Sequence, residues 1–367
     1  MKFLKIINME FNSLKDKCEY YRSTTDYKIE ANNYVIVMLD GHCFSRMIKN
    51  KFKKPFDEFF MRAMNETAIY LLENIQGAKF AYTQSDEISI LITDFDTEQT
   101  SSCFGYRLCK MQSIFASMAA AKFNQIMLAH YLKDKAWVIE ETKDGSNGIN
   151  ILPDVMTAPL YSFDCKAWSV PSYNDAYCHF LWRQHDCTRN SKQQTAQTWL
   201  PHKELLKKTT DEQVQLLLNK HGIDWNTYSD GEKYGRLIYK EDKHMCKIIN
   251  GKEVEFDRSV WLAHGCKPFD EENSIIKKLI PQRQKNVIQL KSRYGKTHKL
   301  IPTEQEHIYV FQSAEEWMTF SLIGEKGKYV ALDPDGGPMI CVDSEINGRK
   351  VAAITENKEG KILVELW

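Results

Sequence analysis

The chain has 367 residues, 43% hydrophobic and 27% charged, and a formal net charge of +0. This is the composition of a globular protein with an ordinary core, and neutrality excludes nucleic-acid binding through a global basic field, leaving only local patches. No apolar run reaches the roughly 20 residues that a membrane helix needs, and the ten scattered cysteines, with no Cys-x-x-Cys pair and no secretory h-region, read as reduced thiols of a cytoplasmic protein.

Residues 34 to 40, YVIVMLD, read as a buried strand that stops at Asp40 and Gly41. A basic loop follows with Arg46, Lys49, Lys51, Lys53 and Lys54. Pro55 and Asp57 then open a helix in which Phe60, Ala63, Met64, Thr67, Ala68, Leu71, Leu72 and Ile75 recur at helical spacing, and Gly77 closes it. The stretch FAYTQSDEISILI, residues 80 to 92, reads as two apolar strands joined at Asp86 and Glu87, without the Asn-Gly or Asp-Gly pair that a tight hairpin favours. Strand, helix, strand, strand is the order of a split βαβ, ferredoxin-like sheet, in which the end of the first strand lies beside the hairpin. Asp40 and Asp86 are therefore expected to be neighbours in space.

Residues 103 to 133 are mostly helix-forming, with Arg107 and Lys110 near their start and small residues that permit packing on a sheet. Ser172 with Asp175 makes a capping-box start for a helix through Trp182, and Thr209 with Glu212 makes one for a helix ending at His221 and Gly222. Composition changes after about residue 265: between Ser274 and Thr303 there are eight Lys or Arg and no acid. Beyond it HIYVFQ, KYVALD, MICVD, KVAAIT and KILVEL are short strands separated by Asp-Gly-Gly-Pro and Asn-Gly turns. The expected organisation is a mixed α/β domain over 1–265, a basic linker over 266–303 and a small β-rich domain over 304–367.

Two acids from separate strand ends, meeting at one edge of a sheet, would make a hard oxygen site suited to Mg²⁺, and nucleotidyl transfer by two metals needs such a site. Solvated strand ends carry the same residues, and spacing alone does not separate the two readings. The basic loop, with Arg107 and Lys110, supplies cations of the kind that hold a triphosphate or an RNA backbone. In CHFLWRQHDC, Cys178, His179, His185 and Cys187 lack the ligand spacing of a structural zinc site and are expected in core packing. The segment WRQHDCTRNSKQQTAQTW brackets Arg183, Arg189, Asn190 and Lys192 with Trp182 and Trp199, a mixture that suits RNA ends, although by itself it reads better as a long amphipathic helix with two buried tryptophans. No P-loop, Gly-x-Ser-x-Gly elbow or protein-kinase signature is present.

LDGHCFSR, KKPFDE, YTQSDEIS, FDCKAW and WRQHDCTRNS, in this order, resemble the tRNA-histidine guanylyltransferase superfamily, over roughly residues 10 to 245. The resemblance implies a polymerase-palm antiparallel sheet flanked by helices and an enzyme that adds nucleotides to the 5′ end of RNA. It implies two Mg²⁺ ions held by Asp40, Asp86 and the carbonyl of Gly41, with ATP or GTP as activating and incoming nucleotides. Asp40, Gly41, His42, Cys43, Phe44 and Ser45, with Ser85 and Asp86, are then expected at a bound nucleotide. Lys54, Arg107 and Lys110 match basic positions near triphosphates, and Arg183, Arg189, Asn190 and Lys192 are expected at RNA. Glu87 is expected to leave the hairpin on the side opposite Asp86 and to support the catalytic pair.

After Asp186 and Cys187 this chain departs from the eukaryotic histidine-tRNA enzymes, reading Thr188, Arg189, Asn190, Ser191, Lys192, Gln193, Gln194, in which only Asn190 matches. That version looks like the guanylyltransferase-like branch, which repairs 5′-truncated tRNA by templated addition. The expected activity is therefore Mg²⁺-dependent, template-directed 3′-to-5′ addition to tRNA or a similar RNA. The alternatives are addition of a single guanylate to histidine tRNA, a catalytically inactive RNA-binding scaffold, and a nucleotide cyclase. Members of the superfamily often assemble as tetramers, so a homotetramer is the expectation.

Overall fold

In the computed structural model, strand β1 is Tyr34–Gly41. The structure describes residues 11–47, 51–96, 100–133, 139–141, 147–149, 159–249, 252–283, 288–291, 297–303, 307–312, 321–323, 330–332, 338–346, 349–358 and 361–367; Lys49 and the turn residues 335–337 and 347–348 lie outside them. Helix α1, Glu58–Asn74, begins where the Asp57 side chain accepts the Phe60 N–H. Strands β2, Ala78–Gln84, and β3, Glu87–Ile92, form the hairpin. Helix α2, Leu108–Lys133, returns the chain to β4, Phe163–Val170. The sheet order β4-β1-β3-β2, with every neighbouring pair antiparallel, is the ferredoxin-like arrangement expected from the order of elements.

Alternation along β1 sends side chains to two separate cores. Val35, Val37 and Leu39 pack with Ala63, Met64 and Leu71 of α1 and Phe115, Ala119 and Phe123 of α2. Tyr34 and Ile36 pack on the other face with Phe80, Tyr82, Leu91 and, from helix α3, Ala176 and Phe180. At about 1.5–3 kcal/mol for each large apolar side chain fully buried, burial on both faces holds this sheet firmly between two cores.

Helix α3, Tyr173–Trp199, starts at Ser172, whose hydroxyl accepts the Asp175 N–H at 3.1 Å, and runs well past the Trp182 expected for its end. No glycine or proline interrupts it before Pro201, so the polar segment after Trp182 continues the helix. Helix α4, Thr210–His221, has the capping box of Thr209 and Glu212 and ends at Gly222 with φ 67°. Strands β5, Arg236–Ile249, and β6, Lys252–Gly265, make a long hairpin joined to β2 through Thr83 opposite Arg236 and Ala81 opposite Ile238. Among the described residues no helix is long and apolar enough to cross a membrane.

The chain divides into two units, Met1–Gln282 and Arg283–Trp367. The segment read as a basic linker over 266–303 differs at both ends: Cys266, Phe269, Ile276 and Ile280 are buried in the first unit's core, and Ile288–Lys291 and Thr297–Pro302 are strands of the second. Ile276 and Ile280 stand four apart about a short helical turn and are buried while Lys277 and Lys278 lie between them, and charge counting does not see that spacing. The second unit has a sheet in which Thr297–Pro302, Ile308–Gln312, Ile362–Leu366 and Arg349–Glu356 are successive neighbours, over a core of Leu300, Tyr309, Val351, Ile354 and Val364.

Candidate active site

Asp40 near the end of β1 stands opposite Glu87 of β3 on one side and Asp164 of β4 on the other, and Glu87 in turn faces Gln84 of β2. Residues directly opposite each other in an antiparallel ladder project from the same face. Asp164, Asp40, Glu87 and Gln84 therefore form one row across four strands, on the face that α3 covers. Glu87 thus shares the face of Asp40; it is the strand residue of the acidic pair, and Asp86 occupies the turn.

The turn is two residues long. Ser85 takes φ 44° where a glycine is usual, and its hydroxyl donates to Asp86 Oδ1 at 2.9 Å. The Gly41 N–H donates to the Asp86 carbonyl at 3.0 Å, which holds the end of β1 against the hairpin and makes Asp40 and Asp86 neighbours. Burial, then the charge of Asp40, pushes the Asp86 carboxyl up to about 6. Burial, then the charge of Asp164, raises Asp40 above the ordinary aspartate range. Among the described residues no lysine or arginine forms an ion pair with Asp40 or Asp86, and no group of three or more His, Cys, Asp or Glu side chains converges as a metal cluster. Two close, partly desolvated carboxylates that form no ion pair, with Lys166 and Arg183 acting on Asp40 only through space, fit a divalent cation that takes its remaining ligands from water and phosphate, as Mg²⁺ does.

Glu87 is held differently. Arg183 of α3 donates through Nε to Oε1 at 2.7 Å and through Nη2 to Oε2 at 2.5 Å, while Gln84 and Ser89 each donate to the carboxylate at 3.4 Å. Arg183 also reaches Asp186 at 3.0 Å. A bidentate pair of this kind fixes geometry as well as charge, so Glu87 braces the sheet end instead of offering a free carboxylate. Arg183, expected at RNA, is only 8% exposed and is consumed by this pair.

Beside the turn lies a cavity of about 450 Å³ between the start of α1 and the middle of α3. Ser45, Lys53, Lys54, Ser85, Asp86, Asn190 and Arg236 line it among others, and Gln194 of α3 closes one side by donating to the Pro55 carbonyl at 2.7 Å. Asp40 is not one of its lining residues. The cavity brings together Ser45, Lys54, Ser85, Asp86 and Asn190 from three expected groups.

The other expected residues fall elsewhere. Phe44 is fully buried against Phe123, Tyr161 and Phe163 at ring distances of 5.1–5.2 Å, and a Cβ on Gly41 would meet its ring at 2.5 Å. Gly41 is thus required by close packing, and Phe44 is a core residue. His42 and Cys43 are exposed just beyond β1, Cys43 with φ 58°. Arg107 pairs with Asp26 at 2.8 Å and Lys110 lies over the Phe104 ring at 5.0 Å. Both sit at the opposite end of the sheet, because Ile29 and Tyr27, preceding β1, bond to Tyr106 and Leu108. Six residues of β1, Tyr34 to Leu39, then separate them from Asp40 by a distance on the order of 20 Å.

Arg189 is exposed and paired with Asp186, Asn190 donates to Asp186 at 3.2 Å, and Lys192 bonds Asp211 at 2.5 Å above the Trp225 ring. Trp182 is 57% exposed and Trp199 is also exposed, so the tryptophans are not the buried pair of the amphipathic reading. Of the Cys/His cluster, His179 and Cys187 are buried while Cys178 and His185 are exposed. Two neighbours of the site carried no signal of their own: Asp164, whose place follows from strand register, and Arg236, whose place follows from a distant strand.

A ferredoxin-like sheet with paired acids where its central strands end defines a palm-type protein. The model of the family described as "Thg1: tRNAHis guanylyltransferase" matches residues 15–171. A solved bacterial tRNA(His) guanylyltransferase-like protein in complex with ATP is 31% identical, with a TM-score of 0.60, and the match covers 73% of this chain and 99% of that one. The same kind of bacterial protein in complex with GTP is 30% identical, with a TM-score of 0.54, covering 74% of this chain and 100% of that one. tRNA(His) guanylyltransferase 1 of Arabidopsis thaliana is 28% identical over 239 residues, 62% of this chain, which spans only 37% of the plant protein's length. The chain belongs to the tRNA(His) guanylyltransferase family, whose named members are nucleotidyltransferases.

Proposed function

We propose that this chain is a template-directed 3′-to-5′ nucleotidyltransferase acting on the 5′ end of tRNA or a tRNA-like RNA, with ATP or GTP as activating and incoming nucleotides. The observation that supports it is the pairing of Asp40 and Asp86, whose carboxyls burial and neighbouring carboxylates hold above the ordinary range, next to a cavity walled by Lys53, Lys54 and Asn190. The bacterial relatives in complex with ATP and GTP support nucleotides as its occupants. Asp40, Asp86 and the Gly41 carbonyl are the residues that would hold Mg²⁺. When bound, the metal supplies charge neutralisation at phosphoryl oxygens.

The chain's own groups have distinct tasks in this reading. Lys53 and Lys54 hold triphosphate oxygens, Ser85 keeps Asp86 oriented through their hydrogen bond, and Glu87 with Arg183 keeps the sheet end rigid. The RNA 5′-monophosphate is first activated by a nucleoside triphosphate, with loss of pyrophosphate. The 3′-hydroxyl of the incoming nucleotide then attacks the activated phosphorus and the activating nucleoside monophosphate leaves. Both steps gather negative charge on phosphoryl oxygens, so fixed cations near Asp86 are the groups that lower the barrier.

The preference for templated repair over addition of a single guanylate rests on the sequence Thr188 to Gln194 on α3, where the histidine-tRNA enzymes read differently. Full-length and 5′-truncated tRNAs, each offered one nucleotide at a time with Mg²⁺, decide between them. Incorporation that follows the opposite strand supports repair; addition of G whatever the opposing base establishes the guanylate-adding alternative. Absence of any addition, with RNA binding retained, leaves the scaffold reading.

A further inference from the structure

Arg236 opens β5 next to the turn, yet nothing in the nucleotide-addition scheme uses it. Its side chain is 7% exposed. Nε donates to Asn65 Oδ1 at 2.8 Å and Nη1 to the Gly231 carbonyl at 3.3 Å, whereas Nη2 is buried without a hydrogen-bond partner. Among the described residues no carboxylate forms an ion pair with it, although a buried charge is ordinarily paired. The acids that line the same cavity are engaged elsewhere: Asp57 caps α1, Asp86 accepts from the Ser85 hydroxyl, and Glu232 accepts from the backbone and hydroxyl of Ser229.

The seat for this guanidinium is specifically shaped. Gly235 has φ 84° and packs its α-carbon under the Tyr82 ring, which lets the chain enter β5 at Arg236. Gly231 lies against the arginine stem, where a Cβ would stand 3.2 Å from Arg236 Cγ. Arg236, Lys53, Lys54 and Asp86 share the wall of the 450 Å³ cavity. An unpartnered, desolvated cationic donor on such a wall gains most from an oxygen acceptor brought by a ligand.

We infer that Arg236 is a ligand-binding residue of this cavity, its Nη2 donating to an oxygen of the bound nucleotide, either a phosphate oxygen or a base carbonyl. This rests on the cavity being a nucleotide site. The occupied state gives the buried guanidinium the acceptor that the protein itself withholds. Burial also lowers the arginine's proton affinity, a shift that a phosphate would offset.

Titration calorimetry of the full chain with ATP, GTP, guanosine and inorganic tripolyphosphate tests this, using the wild type, Arg236→Gln and Arg236→Lys, with melting curves verifying that each variant is folded. If the acceptor is phosphate, Arg236→Gln weakens tripolyphosphate and both triphosphates by about tenfold or more, the scale of one charged hydrogen bond, and Arg236→Lys restores part of it. If it is a base carbonyl, GTP and guanosine weaken while ATP and tripolyphosphate do not. Should Arg236→Gln not fold, Arg236→Lys carries the comparison, since it keeps stem and charge but loses the planar fork. Affinities within twofold of wild type for all four ligands overturn the assignment of Arg236 while leaving the nucleotide site standing. A wild type that binds no nucleotide overturns both.

Discussion

Arg183 and Glu87, 96 positions apart in the chain, meet through two parallel hydrogen bonds of 2.7 and 2.5 Å at the end of the sheet. Both are buried, so each is the other's main counter-charge. Removing one partner leaves an uncompensated charge beside Asp40. Arg183→Ala should therefore cost about 3–5 kcal/mol in chemical denaturation, the penalty for breaking a buried pair from one side. Glu87→Leu combined with Arg183→Met should cost much less than the two single changes added together. Additive losses would show that the pair contributes no coupling.

Asp86 gives the native state a pH dependence of definite sign. Its carboxyl is pushed from the ordinary 3.8 to about 6, so the folded chain holds a proton there more tightly than the unfolded chain does. The stability from that proton is complete below about 3.8 and is lost as pH rises through about 6. In metal-free buffer, Asp86→Asn should gain on the wild type in unfolding midpoint between these two values. A constant difference across that window would sink this account.

Gly41 and Phe44 are interlocked, since any Cβ at 41 would press on the buried ring. Gly41→Ala should destabilise by about 1–3 kcal/mol, the usual cost of overpacking. Pairing it with Phe44→Leu should recover part of the loss. Thermal or urea unfolding of the three variants reads this directly.

Arg107 lies at the far end of the sheet, tied to Asp26 at 2.8 Å. Arg107→Ala should leave ATP and GTP affinity within about twofold for a single chain, since a screened charge on the order of 20 Å away contributes little. A tenfold loss would mean that a second copy carries its own Arg107 to the site. Sedimentation of the same samples distinguishes the two cases.

Asp40→Asn and Asp86→Asn should each abolish nucleotide addition while RNA binding survives, because either change leaves Arg189, Asn190 and Lys192 of α3 in place. Chelating Mg²⁺ should reproduce the loss, and restoring it should reverse the effect. Gel-shift and single-nucleotide addition assays on the same preparations check both halves.

Much of the palm was legible because its information is local. Asp57 as a cap, the helical spacing from Phe60 to Leu72 and the two apolar runs around Asp86 each announce an element, and element order implies the sheet. What stayed hidden depends on register and on chain-distant packing. Nothing near Glu87 tells that it faces Asp40 and binds Arg183, and nothing near Arg236 tells that Thr83 will stand opposite it. Arg107 and Lys110 lie far from Asp40 of the same chain for a related reason: a helix antiparallel to its preceding strand starts at the end of the sheet where that strand finishes. The basic run after Ser274 reads as a tether by charge alone, which does not register the helical spacing that buries Ile276 and Ile280.

Along α3, Arg183, Cys187, Asn190 and Gln194 succeed one another at spacings of four, three and four, the repeat that keeps side chains on one stripe of a helix. The same rigid rod thus clamps Glu87 at one point and walls the cavity at the next. Inserting a single residue between Arg183 and Asn190 would turn the downstream part by roughly 100° relative to the upstream part. The two halves of the site share a single phase, so this helix can change its side chains far more freely than its length.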